Sequence, residues 1–380
     1  MKPSSEHQLF RDSVRAFVDR EIAPHVAAWD EARGFPRELY ARAAEMGLLG
    51  LGYPEAYGGT PADGWYRLVA TEEIARAGSG GLMASLFSHN IGLPPLIAYG
   101  SEALKQRVVP AVLAGDRIAA LAITEPGGGS DVARLRCSAR RDGAQWVING
   151  EKTFITSGMR ADWITLAART GGPGAAGVSL IAVPGDTPGL SRTALNKMGW
   201  WCSDTAQLHF EGCRVAIDNL VGEENSGFRA IMENFNGERL LMAAGANAFA
   251  NVCYEEALDW ARQRQTFGAP LIERQVIRHK LMDMRMRLAS TRAWLHDLVQ
   301  RQEDRDCGPD WVAELCLLKN HATQTMQHCA DQAVQILGGM GYMRGTKSER
   351  IYREVKVMMI GGGAEEIMKD LAARQLGWQA

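Results

Sequence analysis

The chain reads as an α+β protein in three segments: an N-terminal helical domain (1–118), a middle β-barrel or sandwich domain (119–228) and a C-terminal four-helix bundle (229–380). Three observations carry that reading. Phe10, Val14, Phe17 and Val18 recur at the spacing of one helical face. Between about 119 and 228 the pattern changes to short β-rich runs separated by turn residues. Helical periodicity then returns, with Ile277, Leu281, Met284 and Leu288 spaced four, three and four apart, the seam of a long bundle helix.

In the first segment Pro24 ends or bends the opening helix. Tyr53-Pro-Glu-Ala-Tyr-Gly-Gly-Thr60 is a loop, and further helix runs through Ala70-Thr-Glu-Glu-Ile-Ala-Arg76 and from Ala103 to Leu113. In the middle segment Trp146-Val-Ile148 and Lys152-Thr-Phe-Ile155 flank Asn149-Gly150, the dipeptide preferred in two-residue hairpin turns, so a hairpin is expected there, with Asp142-Gly143 marking the turn before it. Trp163-Ile-Thr-Leu-Ala167, Val178-Ser-Leu-Ile-Ala-Val183 and the run from Thr205 to Phe210 add strands, and Gly171-Gly-Pro-Gly-Ala-Ala-Gly177 is a flexible connection.

Composition narrows the function. The 380 residues are 46% hydrophobic, enough for two or three domains, and the formal net charge is −2 with no basic run, which argues against a nucleic-acid partner. Met1-Lys-Pro-Ser-Ser-Glu-His7 has no apolar signal core and no apolar stretch is long enough to span a bilayer, so a soluble cytoplasmic protein is expected. Seven scattered cysteines, odd in number and without Cys-x-x-Cys, predict reduced and mostly buried thiols. The eight histidines form no metal motif; His321 and His328 share a helix face and read as packing. No Gly-x-Gly-x-x-Gly opens a strand–helix unit, so a Rossmann site is not expected.

The most informative stretch is Leu121-Ala-Ile-Thr-Glu-Pro-Gly-Gly-Gly-Ser-Asp131. A short strand would bring backbone amides to a ligand, and glycines without Cβ would let the backbone approach an anionic group. Downstream lie Asn149-Gly-Glu-Lys152 with Ile155-Thr-Ser-Gly158, then Trp163-Ile-Thr165, then Arg262-Gln-Arg-Gln-Thr-Phe-Gly268 followed by Gln275, then Gln335-Ile-Leu-Gly-Gly-Met-Gly341. Five such pieces in order, on a helical–β–helical frame, resemble the acyl-CoA dehydrogenase family across essentially the whole chain.

The resemblance implies FAD as cofactor and an acyl-CoA thioester as substrate. It implies flavin contacts from Leu121, Ile123 and Thr124 and from Trp163, Ile164 and Thr165, with Thr165 near N5. Gly129 and Ser130 would face phosphates or pantetheine. The segment with Arg264, Thr266, Phe267 and Gln275 would meet adenine and pyrophosphate, where an arginine fork suits phosphate. Gln335, Gly338 and Gly339 would reach FAD from a neighbouring subunit. The resemblance further implies a homotetramer, a dimer of dimers, and an electron-transfer flavoprotein as electron acceptor.

The family needs a carboxylate base for the α-proton. Most members carry it in a C-terminal Tyr-Glu-Gly-like triplet, but here Ile360-Gly-Gly-Gly-Ala-Glu-Glu-Ile367 places Gly362 at that position. A branch resembling isovaleryl-CoA and long-chain acyl-CoA dehydrogenases carries the base on an earlier helix, and Phe235-Asn-Gly-Glu-Arg-Leu-Leu241 places Glu238 there. Glu365 and Glu366 compete, although they more naturally begin the last helix. The implied mechanism has Glu238 desolvated and raised in pKa, the thioester carbonyl held by the Gly362 N–H and a ribityl hydroxyl of FAD, and hydride passing to N5. Asn236 and Arg239 would hold the CoA moiety, with Ser130 and Gly362 also at the substrate. Three glycines in place of Tyr-Glu-Gly would empty space near the thioester, suiting medium, long or branched acyl chains. Trp200 and Trp201 either shape that region or belong to core and interface. An acyl-CoA oxidase or flavin monooxygenase, a nucleic-acid-binding flavoprotein and an inactive scaffold protein are the alternatives on the same fold.

Overall fold

The computed structural model describes residues 4–378. Eight helices precede the sheet: α1 (Ser5–Phe17), α2 (Val26–Glu31), α3 (Glu38–Glu45), α4 (Gly64–Ala75), α5 (Gly80–Leu86), α6 (His89–Gly92), α7 (Pro94–Tyr99) and α8 (Glu102–Leu113). Side-chain caps start several of them: Asp63 accepts from the Trp65 and Tyr66 N–H groups, and Ser101 from Leu104 N. Val14 and Phe17 of α1, and Val18 and Ile22 of the π turn that follows, share one apolar core with Leu39 and Ile74, while Phe10 lies at its edge. The predicted loop 53–60 holds one 3₁₀ turn, Glu55–Tyr57.

The middle strands are β1 (Ala119–Ala122), β2 (Ser138–Asp142), β3 (Gln145–Thr156), β4 (Trp163–Arg169), β5 (Val178–Pro184), β6 (Leu190–Ala194), β7 (Thr205–Ala216) and β8 (Leu220–Val221). They form one mixed sheet in the order β6-β7-β3-β2-β4-β5-β8, with β1 parallel to β4. Ala120, Trp146, Ile164, Ile181 and Leu208 come from both halves of that order yet share one apolar cluster, so the sheet curls around its own core.

The hairpin expected at Asn149-Gly150 does not exist. β3 runs straight through it, and the hairpin turn is one signal earlier: Asp142 pairs with Gln145 across Gly143, which has φ +61°. Asn149-Gly150 is instead a bulge against β7, where the register jumps from Ile148 opposite Cys213 to Gly150 opposite Phe210. Gly150 has φ +138°, and Asn149 Oδ1 accepts from the Gly212 N–H at 2.8 Å. The same left-handed tolerance that suits this dipeptide to turns suits it to a bulge.

The C-terminal helices are α9 (Gly227–Gln263), α10 (Gln275–Glu303), α11 (Pro309–Leu337), α12 (Gly339–Tyr342), α13 (Lys347–Ile360) and α14 (Glu365–Gln375). Leu281, Met284 and Leu288 are buried as their spacing predicts, with Ile277 packed at the edge. Ala243, Ala244, Ala246, Ala250 and Ala257 line the buried side of α9, and such small residues let neighbouring helices approach closely. Short connections alternate the direction of α9, α10 and α11, so α9 and α11 run parallel. Trp311 Nε1 bonds Leu298 O at one end of the bundle, and Lys280 bonds Gln332 at the other. Among the described residues no helix is long and apolar enough to cross a membrane.

A Cβ on residue 150 would stand 2.6 Å from Cys137 Cα, in a backbone conformation that L side chains rarely adopt. Gly150→Ala should therefore cost about 1–3 kcal/mol and lower the thermal midpoint, whereas the same change at Gly172, where a Cβ meets nothing within 4 Å, should leave it unchanged.

Candidate active site

The turn after β1 is held by a buried ion pair. Lys152 of β3 is fully buried, and its Nζ donates to Ile123 O and to Glu125 Oε1, each at 2.8 Å. Glu125 also accepts the Arg136 N–H at 2.6 Å and the Cys137 N–H at 2.8 Å. Burial pushes the Glu125 carboxyl up, but Lys152 and those two amides outweigh it and hold it below the usual carboxylate range. Thr153 N bonds Thr124 O at 2.9 Å, and Glu125 and Gly128 close the turn by exchanging backbone hydrogen bonds. Gly127 and Gly128 have no positive φ, and a Cβ on either would meet nothing within 4 Å. The chain itself does not require glycine there; the missing side chains leave an open cradle. Ser130 is exposed beside it.

β4 lies against this turn. Leu121 is opposite Thr165 in the parallel ladder, and Trp163 is half-buried in one cluster with Ile123, Val132 and Phe235. Thr165 is buried, and its hydroxyl donates to Gly92 O at 2.7 Å, so towards any further partner the oxygen can only accept. Ile164 points to the other face of the sheet and is fully buried in its core, which leaves only its backbone for a ligand. The neighbouring Ile91 carbonyl accepts from Asn234 Nδ2 of α9 at 2.9 Å. The tip of α6 thus ties β4 to the stretch of α9 that carries Asn236, Glu238 and Arg239.

Glu238 faces the loop between α13 and α14. A Cβ at Gly362 would lie 3.9 Å from Glu238 Oε1, although the two residues are far apart in sequence. The Glu238 carboxylate is half-buried in its cleft, and among the described residues no donor lies within hydrogen-bond distance of it. Burial raises its pKa above the usual range, and Arg239 and Lys319 offset only part of that rise. The Gly362 N–H likewise donates to no group among the described residues. The fold therefore brings together a carboxylate and a glycine N–H that are both without a hydrogen-bond partner among the described residues.

Arg239 is 5% exposed, and it donates to Gly362 O at 3.1 Å and to Asn236 Oδ1 at 3.1 Å while lying over the Phe235 ring. The three glycines are not simply empty volume. Met242, one helical turn beyond Glu238, puts its Sδ 2.7 Å from where a Gly362 Cβ would be. Trp200 packs on Gly80 and Gly81, and Trp201 lies between the guanidinium groups of Arg344 and Arg353 at 4.2 Å each, which makes this pair a junction of the three segments. Glu365 and Glu366 do begin α14, where Glu365 pairs with Lys369 and Gln324.

The remaining cofactor candidates are elsewhere. Arg264 ends the helix on which Glu238 sits, about 39 Å along its axis at 1.5 Å per residue. Thr266, Phe267 and Gln275 follow it, and Gln335, Gly338 and Gly339 lie at the same end of the bundle. Phe267 is 100% exposed, Arg264 forms no ion pair among the described residues, and Thr266 Oγ1 is buried without a partner. Sequence reasoning missed Lys152 and Lys319, because a lone lysine beside ordinary residues carries no sign that its charge is buried.

Models of the acyl-CoA dehydrogenase N-terminal, middle and C-terminal domains match residues 4–116, 120–213 and 225–377. The chain is 37% identical over 377 residues to a long-chain specific acyl-CoA dehydrogenase of Sus scrofa, covering 98% of this chain and 87% of that one. It is 36% identical to an isovaleryl-CoA dehydrogenase of Oryza sativa, covering 97% and 90%. A crystal structure described as a putative acyl-CoA dehydrogenase from Mycobacterium smegmatis superposes with a TM-score of 0.97 at 48% identity, covering 99% of each chain. The chain belongs to the acyl-CoA dehydrogenase family and is an FAD-dependent oxidoreductase. The open cradle at Gly127 and Gly128, the unpaired Arg264 and the orphaned Thr266 hydroxyl fit a dinucleotide cofactor.

Lys152→Met would leave Glu125 charged, buried and short of its cation. The expected loss is about 3–5 kcal/mol, read in urea unfolding, together with weaker retention of FAD through gel filtration. Unchanged retention would show that the ion pair does not shape the cradle.

Proposed function

We propose that the protein catalyses α,β-dehydrogenation of an acyl-CoA thioester to the trans-2-enoyl-CoA, with Glu238 as the base. The observation that carries this is the pairing of an unbonded, desolvated carboxylate at Glu238 with an unbonded N–H at Gly362. Gly362 donates to the thioester carbonyl, and Glu238 takes the α-proton: the Cα–H bond breaks, its electron pair spreads onto the thioester oxygen, and an O–H bond forms on Glu238. FAD, when bound, would supply the hydride acceptor for the β-hydrogen. Leu121, Ile123, Thr124, Gly129, Ser130, Trp163, Thr165 and the Ile164 backbone would hold its flavin and phosphate portions, with Trp163 as the aromatic buttress. Asn236 and Ser130 hold the CoA portion, and Arg239 supports Asn236 from behind.

Arg264 lies about 39 Å along α9 from Glu238, which in our reading makes one chain an incomplete site. In our reading Arg264, Thr266, Phe267, Gln275, Gln335, Gly338 and Gly339 serve the cofactor of a neighbouring copy in a homotetramer. The exposed apolar residues Phe267, Val276, Met282, Met286 and Tyr342 support an interface at that end of the bundle. The domains run 1–118, 119–228 and 229–380, and electrons leave to an electron-transfer flavoprotein. Relatives named for long-chain and isovaleryl substrates, together with the displaced base, favour a medium, long or branched acyl chain.

The test is anaerobic flavin reduction. Glu238→Gln should still bind FAD and acyl-CoA but should not bleach the flavin. The base must be ionised, so the wild-type rate should fall as pH drops through a pKa above the ordinary carboxylate range. Normal bleaching in the variant would sink the assignment.

A further inference from the structure

The glycine loop is gripped by buried donors from α11. Lys319 on α11 is 0% exposed, and its Nζ donates to Met359 O at 2.9 Å and to Gly363 O at 2.8 Å. One residue further along α11, Asn320 Nδ2 donates to Glu365 O at 2.9 Å, and one turn beyond, Gln324 bonds the Glu365 carboxylate at 2.8 Å. Arg239 holds the carbonyl between, that of Gly362. Carbonyls at 359, 362, 363 and 365 are thus drawn to buried donors, while the Gly362 N–H, in a residue whose Cβ position is 3.9 Å from Glu238 Oε1, is left unbonded.

We propose that Lys319 is a positioning residue for α-proton removal: it pins the loop that presents the Gly362 N–H, and its buried charge, with that of Arg239, stabilises negative charge on the thioester. The inference rests on the reading of Gly362 given above. The charge inventory supports it. The groups facing Lys319 are Arg239 and Glu238 of α9, Cys316 of its own helix and Glu365 of α14. Glu365 is already paired with Lys369 and Gln324, so two buried cations share essentially one carboxylate, Glu238. Proton transfer moves the negative charge from Glu238 to the substrate and leaves the total unchanged, so the cations stay matched throughout the step. Burial and the neighbouring Arg239 push the Lys319 ammonium down to about 8, which keeps it mostly charged at neutral pH.

The test uses the holoenzyme with acetoacetyl-CoA, whose α-proton is acidic enough for the bound enolate to be titrated by absorbance. Lys319→Gln keeps a donor without the charge, Lys319→Met removes both, and Lys319→Arg keeps the charge. The bound ligand's pKa should rise by about one unit, tenfold in the enolisation constant, in the Gln and Met variants and stay near wild type in the Arg variant. FAD content should be unchanged in the Gln and Arg variants, so a failure of the Met variant to fold leaves the comparison intact. Wild-type enolisation in Lys319→Gln, or equal loss in Lys319→Arg, would overturn the inference. Enolisation is read at equilibrium and needs no particular base. Bleaching by Glu238→Gln would therefore refute the base while leaving the Lys319 result standing, and the reverse holds too.

Discussion

The constraint on which the site depends is that a loop of three glycines cannot hold itself. Gly362 and Gly363 sit at φ +65° and +116° with no side chains to pack, and glycine carries the largest backbone entropy to lose. What fixes the loop is a set of donors from two parallel helices, Arg239 on α9 and Lys319 and Asn320 on α11. Each donor is buried, so its bond to a carbonyl is not in competition with water. The long alanine-lined contact that makes α9 and α11 neighbours is therefore part of the chemistry as well as of the core. The turn on the β side follows the same rule, with Lys152 and Glu125 fixing backbone that glycine leaves loose.

The base position proposed on α9 has a structural counterpart in Met242. Its sulfur occupies the space that a side chain at residue 362 would need, so base position and local packing are coupled. A helix-borne base is held by a rigid element, whereas one on the loop would rely wholly on the donors behind it. In the role proposed for it, Glu238 is placed by its helix and not by a hydrogen bond of its own.

The three-segment order was legible because it rests on periodicity over many residues, as the buried stripe Leu281, Met284, Leu288 shows. That Glu238 and Gly362 belong to one place was legible through the family resemblance, and the structure brings the two residues together. The Asn149-Gly150 bulge was not, because one dipeptide satisfies both a turn and a bulge and only the partner strand decides. Lys152 and Lys319 were illegible for a related reason: a single lysine reads as a solvated surface charge unless the tertiary fold shows it surrounded. The family resemblance could not show that Arg239 also bonds the glycine loop, because adjacent residues on a helix point about 100° apart and its partner Gly362 O is remote in sequence.

The most direct measurement is exchange at Cα, uncoupled from the cofactor. An α-deuterated 3-thia-acyl-CoA has sulfur at the β position and no hydride to give, so loss of deuterium to water reports proton abstraction alone. The wild-type enzyme should wash the label out, and Glu238→Gln should slow that loss by roughly a hundredfold or more. Washout at the wild-type rate in the variant would contradict the account, because the α-proton would then be leaving to some other group.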